Sequence, residues 1–448
     1  MKDKKKLFPI LLLFITAISI YYLIEFRAQA GTEYDTYLAE ARKASDGGIV
    51  STAMENYQQA IKLNPSEELY YEVGQMYIKN DDLWNAKRWY ERNMLNNYPL
   101  SPLTYRLGME ESAAREDYED LFEVYERSRE RKITDEQIEA LVDTYKLKFK
   151  LSGSYDVVGG YSNLVPYAPV FNEYSGWEYI DTKGSTAIQS RYEQASVFGE
   201  YAAVIDEKGN PYLIDSEGRY TISGAYLEDA NEKIGKITEF LDYADGLILA
   251  KSETGVGFYD AKTYKLMYGE YQDALPFSNG VAAVTKDGTK WALIGTDGTE
   301  LTGYDYDSIV KDFKDCICRT DFVFAEKSAL YYPVKKDGTP ASNKNYGEAK
   351  AFNDNTLAAV NKDGKWIFVN AAGEEIDLGD FQEAESFSNG LAAVKKDGLW
   401  GYVDMEGNIV LDYQFTETTP MSRYGTAFVK TESDKWTLLR FYYYSFNQ

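Results

Sequence analysis

The sequence predicts an N-terminal transmembrane helix, a short α-helical segment of paired helices, and then an all-β array of eight repeats in a propeller-like arrangement. Three observations predict it: an uncharged run behind a lysine cluster, small and aromatic residues recurring at a spacing of 33 to 34, and an aromatic slot that returns eight times. They assign residues 1–30 to a cytoplasmic lysine cluster and anchor, 31–152 to the helical segment and 153–448 to the β-repeat domain.

The anchor comes first. Residues 2 to 6 read Lys-Asp-Lys-Lys-Lys, and no charge interrupts Leu7 to Ile24. At 1.5 Å per residue this run spans about 27 Å as a helix, enough to cross a hydrocarbon core. Tyr21 and Tyr22 close it where aromatic belts lie, and the lysines hold the N-terminus in the cytoplasm, which places the bulk of the chain outside. A cleaved signal peptide is the alternative, with Ala28-Gln29-Ala30 as its cleavage site, but the apolar run exceeds the usual signal core and Glu25 and Arg27 intervene.

From Thr32 to about Lys150 apolar residues fall at three-and-four spacing, as in Tyr37, Leu38, Ala41 and Ala44. Ala41, Ala53 and Tyr57 recur as Gly74, Ala86 and Tyr90, and Pro65 and Pro99 end the two units. Small residues let paired helices approach, the aromatic fills the gap, and proline stops the second helix. This pattern resembles the tetratricopeptide repeat, whose period is 34. The resemblance implies a concave surface that holds a peptide or docks a partner, with a plain helical spacer as the other reading. Gly108 opens a third unit, but Asp120 and Val124 replace its small and aromatic residues. A helix from Thr134 to Lys150, capped by Thr134 and Gln137, is expected to close the stack.

From Tyr155 the pattern becomes short apolar alternation broken by Asp-Gly and Glu-Gly. The aromatic slot reads Trp177, Pro211, Val256, Trp291, Tyr331, Trp366, Trp400 and Trp436, with longer intervals before Val256 and Tyr331. Each unit reads as a three-stranded meander, for example Leu391 to Val394, a turn at Asp397-Gly398, Trp400 to Asp404, a turn at Gly407, and Asn408 to Asp412. One such ribbon cannot bury its apolar face alone, whereas eight in series can. The motif Phe387-Ser-Asn-Gly-Leu-Ala-Ala-Val-Lys-Lys-Asp-Gly-x-Trp-Gly-Tyr-Val-Asp404 resembles the WG-repeat family of bacterial proteins, named for the pair seen at Trp400-Gly401. The resemblance implies a propeller-like array that binds rather than catalyses. Trp177, Trp291, Trp366 and Trp436 are followed by other residues, so glycine is not essential there. Closure into a propeller protects the end units from exposed edges. An open β-solenoid is the alternative, because most intervals are shorter than the 40–45 residues usual for a four-stranded blade.

Composition narrows the function. The 448 residues include 72 acidic and 48 basic groups, a net charge of −24, and no histidine. Such acidity disfavours a nucleic-acid partner. The missing histidine removes the usual general base and zinc ligand. The 40 tyrosines suit repeat packing, since tyrosine fills a pleated surface while keeping a polar end. Cys316 and Cys318 flank Ile317 on an expected strand, where alternation puts both on one face with Cα atoms about 6–7 Å apart, near the limit for a disulfide. They read as a strained disulfide or a packing pair, and alignment of Cys318 with Ala282 and Ala392 favours packing. Asp305 and Asp307 share a face of another expected strand, but no calcium-loop spacing surrounds them. No catalytic residue, metal or cofactor is expected. The expected function is capture or scaffolding of a protein or peptide at the outer face of the membrane. The alternative is binding or hydrolysis of a cell-surface glycan through paired carboxylates.

Overall fold

The computed structural model describes residues 19–21, 31–162, 164–227 and 236–446. The expected span Leu7–Ile24 lies outside them apart from three helical residues, and among the described residues no helix is long and apolar enough to cross a membrane. The chain divides into two compact units after Lys146.

The first unit is helical. Residues 31–46 pair with Val50–Leu63, Glu67–Lys79 with the run from Leu83 to Asn97, and Pro102–Ala114 with Tyr118–Glu130; Glu136–Tyr145 follows. Ser66, Asp82 and Asp117 cap the helices they precede, each accepting a backbone N–H of the first turn. The small-residue spacing is a close-approach requirement: a Cβ on Gly74 would fall 2.3 Å from Leu107 Cδ2. The third pair departs from the pattern because charge replaces bulk. Asp120 is bonded to Arg115 at 2.6 Å and Lys87 at 3.2 Å, and Glu111, whose side chain is fully buried, meets Arg115 at 2.8 Å. The last helix is not the expected one. Asp135, not Thr134, caps it by accepting from Gln137 and Ile138, and it stops at Tyr145 because Phe149 and Lys150 are claimed by a sheet.

The second unit is a ring of eight antiparallel sheets. Blades 1 to 7 cover 157–192, 194–223, 237–271, 273–306, 308–346, 348–376 and 383–415; blade 8 is 417–441 completed by Phe149–Tyr155. Blade 7 shows the plan, from the axis outward: Glu383–Ala384, Ala392–Lys396, Leu399–Val403 and Ile409–Phe415. The expected three-stranded meander is corrected to four strands. In six of the eight blades the innermost has only two residues, so four strands fit a period of about 34 residues. In blades 4 and 5 the outermost strand shrinks to isolated bridges, including Trp291↔Tyr306 and Tyr331↔Tyr346.

Closure overturns the solenoid alternative. Phe149–Tyr155, earliest in sequence, pairs antiparallel with the last strand, Trp436–Phe441, in the register Phe149↔Phe441 and Tyr155↔Trp436. Neither end of the array is left as an open edge, which makes it an eight-bladed β-propeller. Tyr155 therefore ends blade 8 instead of opening the first unit. The seam is also packed: Tyr161 of blade 1 stacks on Phe428 of blade 8 with ring centroids 5.7 Å apart.

Local chemistry explains the repeat motif. Asp397 and Gly398 have φ of 51° and 82°, the two positive values a tight hairpin needs. The Phe-Ser-Asn-Gly turn stitches neighbouring blades, since Ser388 Oγ and Asn389 Nδ2 both donate to Met421 O of blade 8, at 2.7 and 3.0 Å. In blade 4 Asn279 Nδ2 donates to Thr320 O of blade 5 at 3.0 Å. At Gly401 a Cβ would fall 2.5 Å from Leu411 O, because the outer strand bulges between the pairs Trp400↔Phe415 and Tyr402↔Leu411. Tyr179, Tyr192, Tyr259, Tyr346 and Tyr402 are among the largest fully buried side chains of the ring, in agreement with tyrosine as a packing residue.

Candidate functional site

The motif tryptophans all stand on the third strand of a blade, and in blades 1, 7 and 8 they meet the aromatic that ends the outer strand: Trp177↔Tyr192, Trp400↔Phe415 and Trp436↔Tyr155. Trp366 and Trp400 are buried, while Trp177, Trp291 and Trp436 are half-buried. Blades 6 to 8 add charge to these rings. Lys395 Nζ lies 5.6 Å over Trp400 and 3.5 Å from Glu383; Lys430 Nζ lies 4.8 Å over Trp436 and 3.0 Å from Glu417. In blade 6 the lysine comes from beside the inner strand: Lys350 Nζ is 5.6 Å over Trp366 and 3.2 Å from Glu385 of blade 7. Burial works against the Lys350 charge, but Glu385 and Glu348 hold its pKa above the ordinary value. Each rung is thus an ammonium held between an indole face and a carboxylate.

A second feature is the connection of blade 5 between Ser308–Ile309 and Phe322–Lys327. Ser278 Oγ of blade 4 accepts from Ile317 N and Cys318 N at 3.1 and 2.9 Å. The fully buried Asp312 carboxylate accepts from Lys314 N, Cys316 N and Arg319 Nη2 at 2.8, 3.0 and 2.7 Å. A Cβ on Gly160 of blade 1 would lie 3.1 Å from the Phe313 ring. Blades 1 and 5 are four apart in a ring of eight, so this loop reaches across the axis and plugs the channel.

The plug perturbs its titratable groups. Burial pushes Asp242 up to about 6, with the Tyr243 N–H and Arg319 opposing and Asp315 and Asp312 adding. Burial brings Lys314 down to about 8, helped by Arg319. Burial and Asp312 push the Cys316 thiol up to about 12, so it stays protonated and is a poor nucleophile.

These positions correct two sequence expectations. Cys316 and Cys318 lie in the loop, not on a strand; both thiols are free and Cys318 is buried. The register Ile309↔Ala325 against Ala384↔Val394 places Val323, not Cys318, in the slot of Ala392, because the loop inserts residues ahead of the strand. Asp305 and Asp307 are likewise off any strand. Asp307 accepts from Ser328 N at 2.7 Å and pairs with Lys290. Among the described residues no three His, Cys, Asp or Glu side chains are grouped to hold a metal.

Beside the plug is a cavity of about 520 Å³, whose lining includes Trp177 of blade 1, Glu193, Gln194 and Ile205 of blades 1 and 2, Glu239 of blade 3, and Asp315 of the plug. Of the expected site residues only Trp177 lines it. Its carboxylates had no signal in the sequence beyond their place beside the inner strands.

The fold defines a class: an eight-bladed β-propeller, with a helical unit before it in the sequence. Residues 268–289, 334–366, 368–400 and 400–436 match the family described as WG containing repeat, so the WG family is present in the C-terminal region. No curated protein matches the chain. Among solved structures the chain is similar to the computationally designed Ika8 protein, at 12% identity over 64% of this chain and 97% of that one, with a TM-score of 0.42. It is similar to BamB from Moraxella catarrhalis at 11% identity, over 64% and 86%, with a TM-score of 0.31. A third is a eukaryotic initiation factor, at 11% identity over 66% and 88%, with a TM-score of 0.41.

Proposed function

We propose that this protein is a non-catalytic scaffold that captures a protein or peptide partner at the outer face of a bacterial membrane. The observation that carries the reading is the plugged, closed ring. A rigid eight-bladed frame presents an aromatic and acidic cavity, while its one half-exposed thiol is held protonated by burial. The paired helices, with Gly74 and Gly108 at tetratricopeptide spacing, support a second binding surface of that repeat type. The lysine cluster and the uncharged run Leu7–Ile24 support a single N-terminal anchor with the bulk of the chain outside.

Cross-linking of the full chain in its native membrane, followed by affinity recovery, tests the scaffold. A discrete protein partner is the expected result, and recovery of none overturns it. Alkaline extraction and protease accessibility test the anchor separately: the chain should stay with the membrane pellet and be digested from the outer side only.

A further inference from the structure

In six blades the turn between the third and fourth strands carries a glycine, and in five of them it is pressed against the blade before it. A Cβ on Gly184 would fall 3.4 Å from Leu438, on Gly218 2.6 Å from Ile188, on Gly298 2.9 Å from Tyr268, on Gly338 2.8 Å from Thr302, and on Gly407 2.8 Å from Leu378 O. At the same place in blade 6 a Cβ on Gly373 would meet nothing within 4 Å, although Lys344 of blade 5 crosses the seam to donate to Gly373 O at 2.9 Å. A cavity of about 220 Å³ lies there, walled by Phe322, Pro333 and Tyr346 of blade 5 and by Val369 and Ala371 of blade 6.

Register explains the gap. Pro340 and Tyr346 pair with Val334 and Tyr331 as Ile409 and Phe415 pair with Val403 and Trp400, which puts Ser342 in the slot of Leu411. The slot holds Ile188 in blade 1 and Tyr268 in blade 3. Pro333 likewise stands where Phe258 and Tyr402 stand. Blade 8 also has a small residue in the slot, Ser152, but there Leu438 and the Tyr155 hydroxyl close on Gly184, at 3.4 and 3.8 Å. Only the seam between blades 5 and 6 leaves its glycine uncovered. Blade 3 shows what fits such a place: Tyr268 lays its ring against Gly298 and donates its hydroxyl to Thr296 O at 2.5 Å. The two turns are built alike, with Gly298 N donating to Gly295 O and Gly373 N to Asn370 O, both at 2.9 Å, so Ala371 O stands where Thr296 O stands.

We propose that this recess receives a tyrosine side chain of the partner protein, its ring seated against Gly373 and its hydroxyl donating to Ala371 O, as Tyr268 sits within the chain. This rests on the scaffold reading and specifies what the partner presents. An apolar cavity of about 150 Å³ is enough to hold benzene, so the space suits one ring. Asp321 and Lys335 bring opposite charges to the lining, so the recess favours neither an ammonium nor a carboxylate. A phenylalanine would bury the same ring but leave the carbonyl without that donor.

The test is ligand-observed NMR titration of the full chain in detergent micelles, with N-acetyl-tyrosinamide as probe and N-acetyl-phenylalaninamide as control. The tyrosine probe should bind roughly three- to tenfold more tightly, the span of one neutral hydrogen bond. Two variants fill the recess from the sibling blades: Ser342→Leu copies Leu411, and Ala341→Leu copies Leu301, which donates to Leu293 O as Ala341 donates to Pro333 O. Both should abolish binding and raise the thermal midpoint, which also reports that the ring is intact, and in the same micelles they account for partition of the probes into detergent. Cross-linking in the native membrane should recover the partner with the parent and lose it with Ser342→Leu. Equal binding of the two amides, no binding of either, or binding unchanged in both variants overturns the site. Binding of p-cresol without binding of the tyrosine amide marks a recess for free phenols and overturns the partner's side chain. So does concentration-dependent self-association lost in Tyr174→Ser, since Tyr174, 91% exposed, would then be the occupant from a second copy. A partner recovered equally with the parent and Ser342→Leu removes the recess from capture and leaves the scaffold reading intact, whereas recovery with neither removes the scaffold reading and the partner's tyrosine with it.

Discussion

Gly401 offers the sharpest test of the blade geometry. A methyl group there would sit 2.5 Å from Leu411 O and 3.1 Å from both Asp412 C and Tyr413 N. All three are backbone atoms, so no rotamer change relieves the overlap, and the strand Ile409–Phe415 has to move outward against its own bulge. Overpacking of this kind costs about 1–3 kcal/mol. Gly398 is the control: nothing lies within 4 Å of its Cβ, so Gly398→Ala pays only for a φ of 82°, about 1 kcal/mol. Five of the seven tryptophans are in the propeller, so thermal unfolding followed by indole fluorescence reports the ring. Gly401→Ala should lower the midpoint by about 2–8 °C, and more than Gly398→Ala. Blade 1 supplies the competing outcome. Its strand has the same four-against-two bulge, Trp177↔Tyr192 and Tyr179↔Ile188, with Glu178 in the glycine position. If Gly401→Ala is as stable as the parent, the outer strand relaxes freely and the close approach is not a constraint.

Other expectations follow from buried charge and from the tail. Arg115→Met strands the fully buried Glu111 and should cost the helical unit about 3–5 kcal/mol, read by circular dichroism in denaturant. Asp242 has a folded pKa of about 6, above its unfolded value of about 3.9, so the folded state binds more protons and stability falls as pH rises between these values. Asp242→Asn should remove that slope and stabilise the protein at pH 7, on the order of 1–2 kcal/mol, in unfolding measured from pH 4 to 7. Cys316 should react with iodoacetamide at pH 8 far more slowly in the native chain than in the unfolded one, by mass spectrometry of the labelled peptide. Tyr444→Phe removes the 2.6 Å bond to Asn389 O that ties the C-terminal tail of blade 8 to blade 7, and should cost about 0.5–1.5 kcal/mol in the same melts.

The architecture was legible where a local rule repeats. Asp-Gly announces a hairpin at Asp245-Gly246, Asp363-Gly364 and Asp397-Gly398, where both residues take positive φ, and eight returns of one slot announce eight units. The fourth strand was hidden because two residues such as Glu383–Ala384 carry no periodicity. Closure was hidden because the pairing Phe149↔Phe441 joins segments nearly 300 residues apart, which no local pattern encodes. The cysteines misled for a related reason. Cys316-Ile317-Cys318 alternates like a strand, but a loop buried by Asp312 and Ser278 can hold such a triplet without any ladder. At the candidate site only Trp177 was visible; Glu193 and Glu239 become neighbours through the curvature of the ring.

The repeat keeps its lysine rung unevenly around the ring. The stretches that match the WG family fall between 268 and 436, and there the rungs Glu383–Lys395–Trp400 and Glu417–Lys430–Trp436 are internally satisfied. Blades 1 and 2, and most of blade 3, lie outside those stretches, as does the plug. Lysine is replaced by Phe171 and Ile205 at equivalent register positions, opposite Val157 and Gln194. Blade 3, also mostly outside those stretches, keeps a lysine at this register, Lys251 opposite Glu239, but Val256 stands where the tryptophan would be. The absence of histidine fits the rungs, since an ammonium held between an indole and a carboxylate calls for no group that titrates near neutrality.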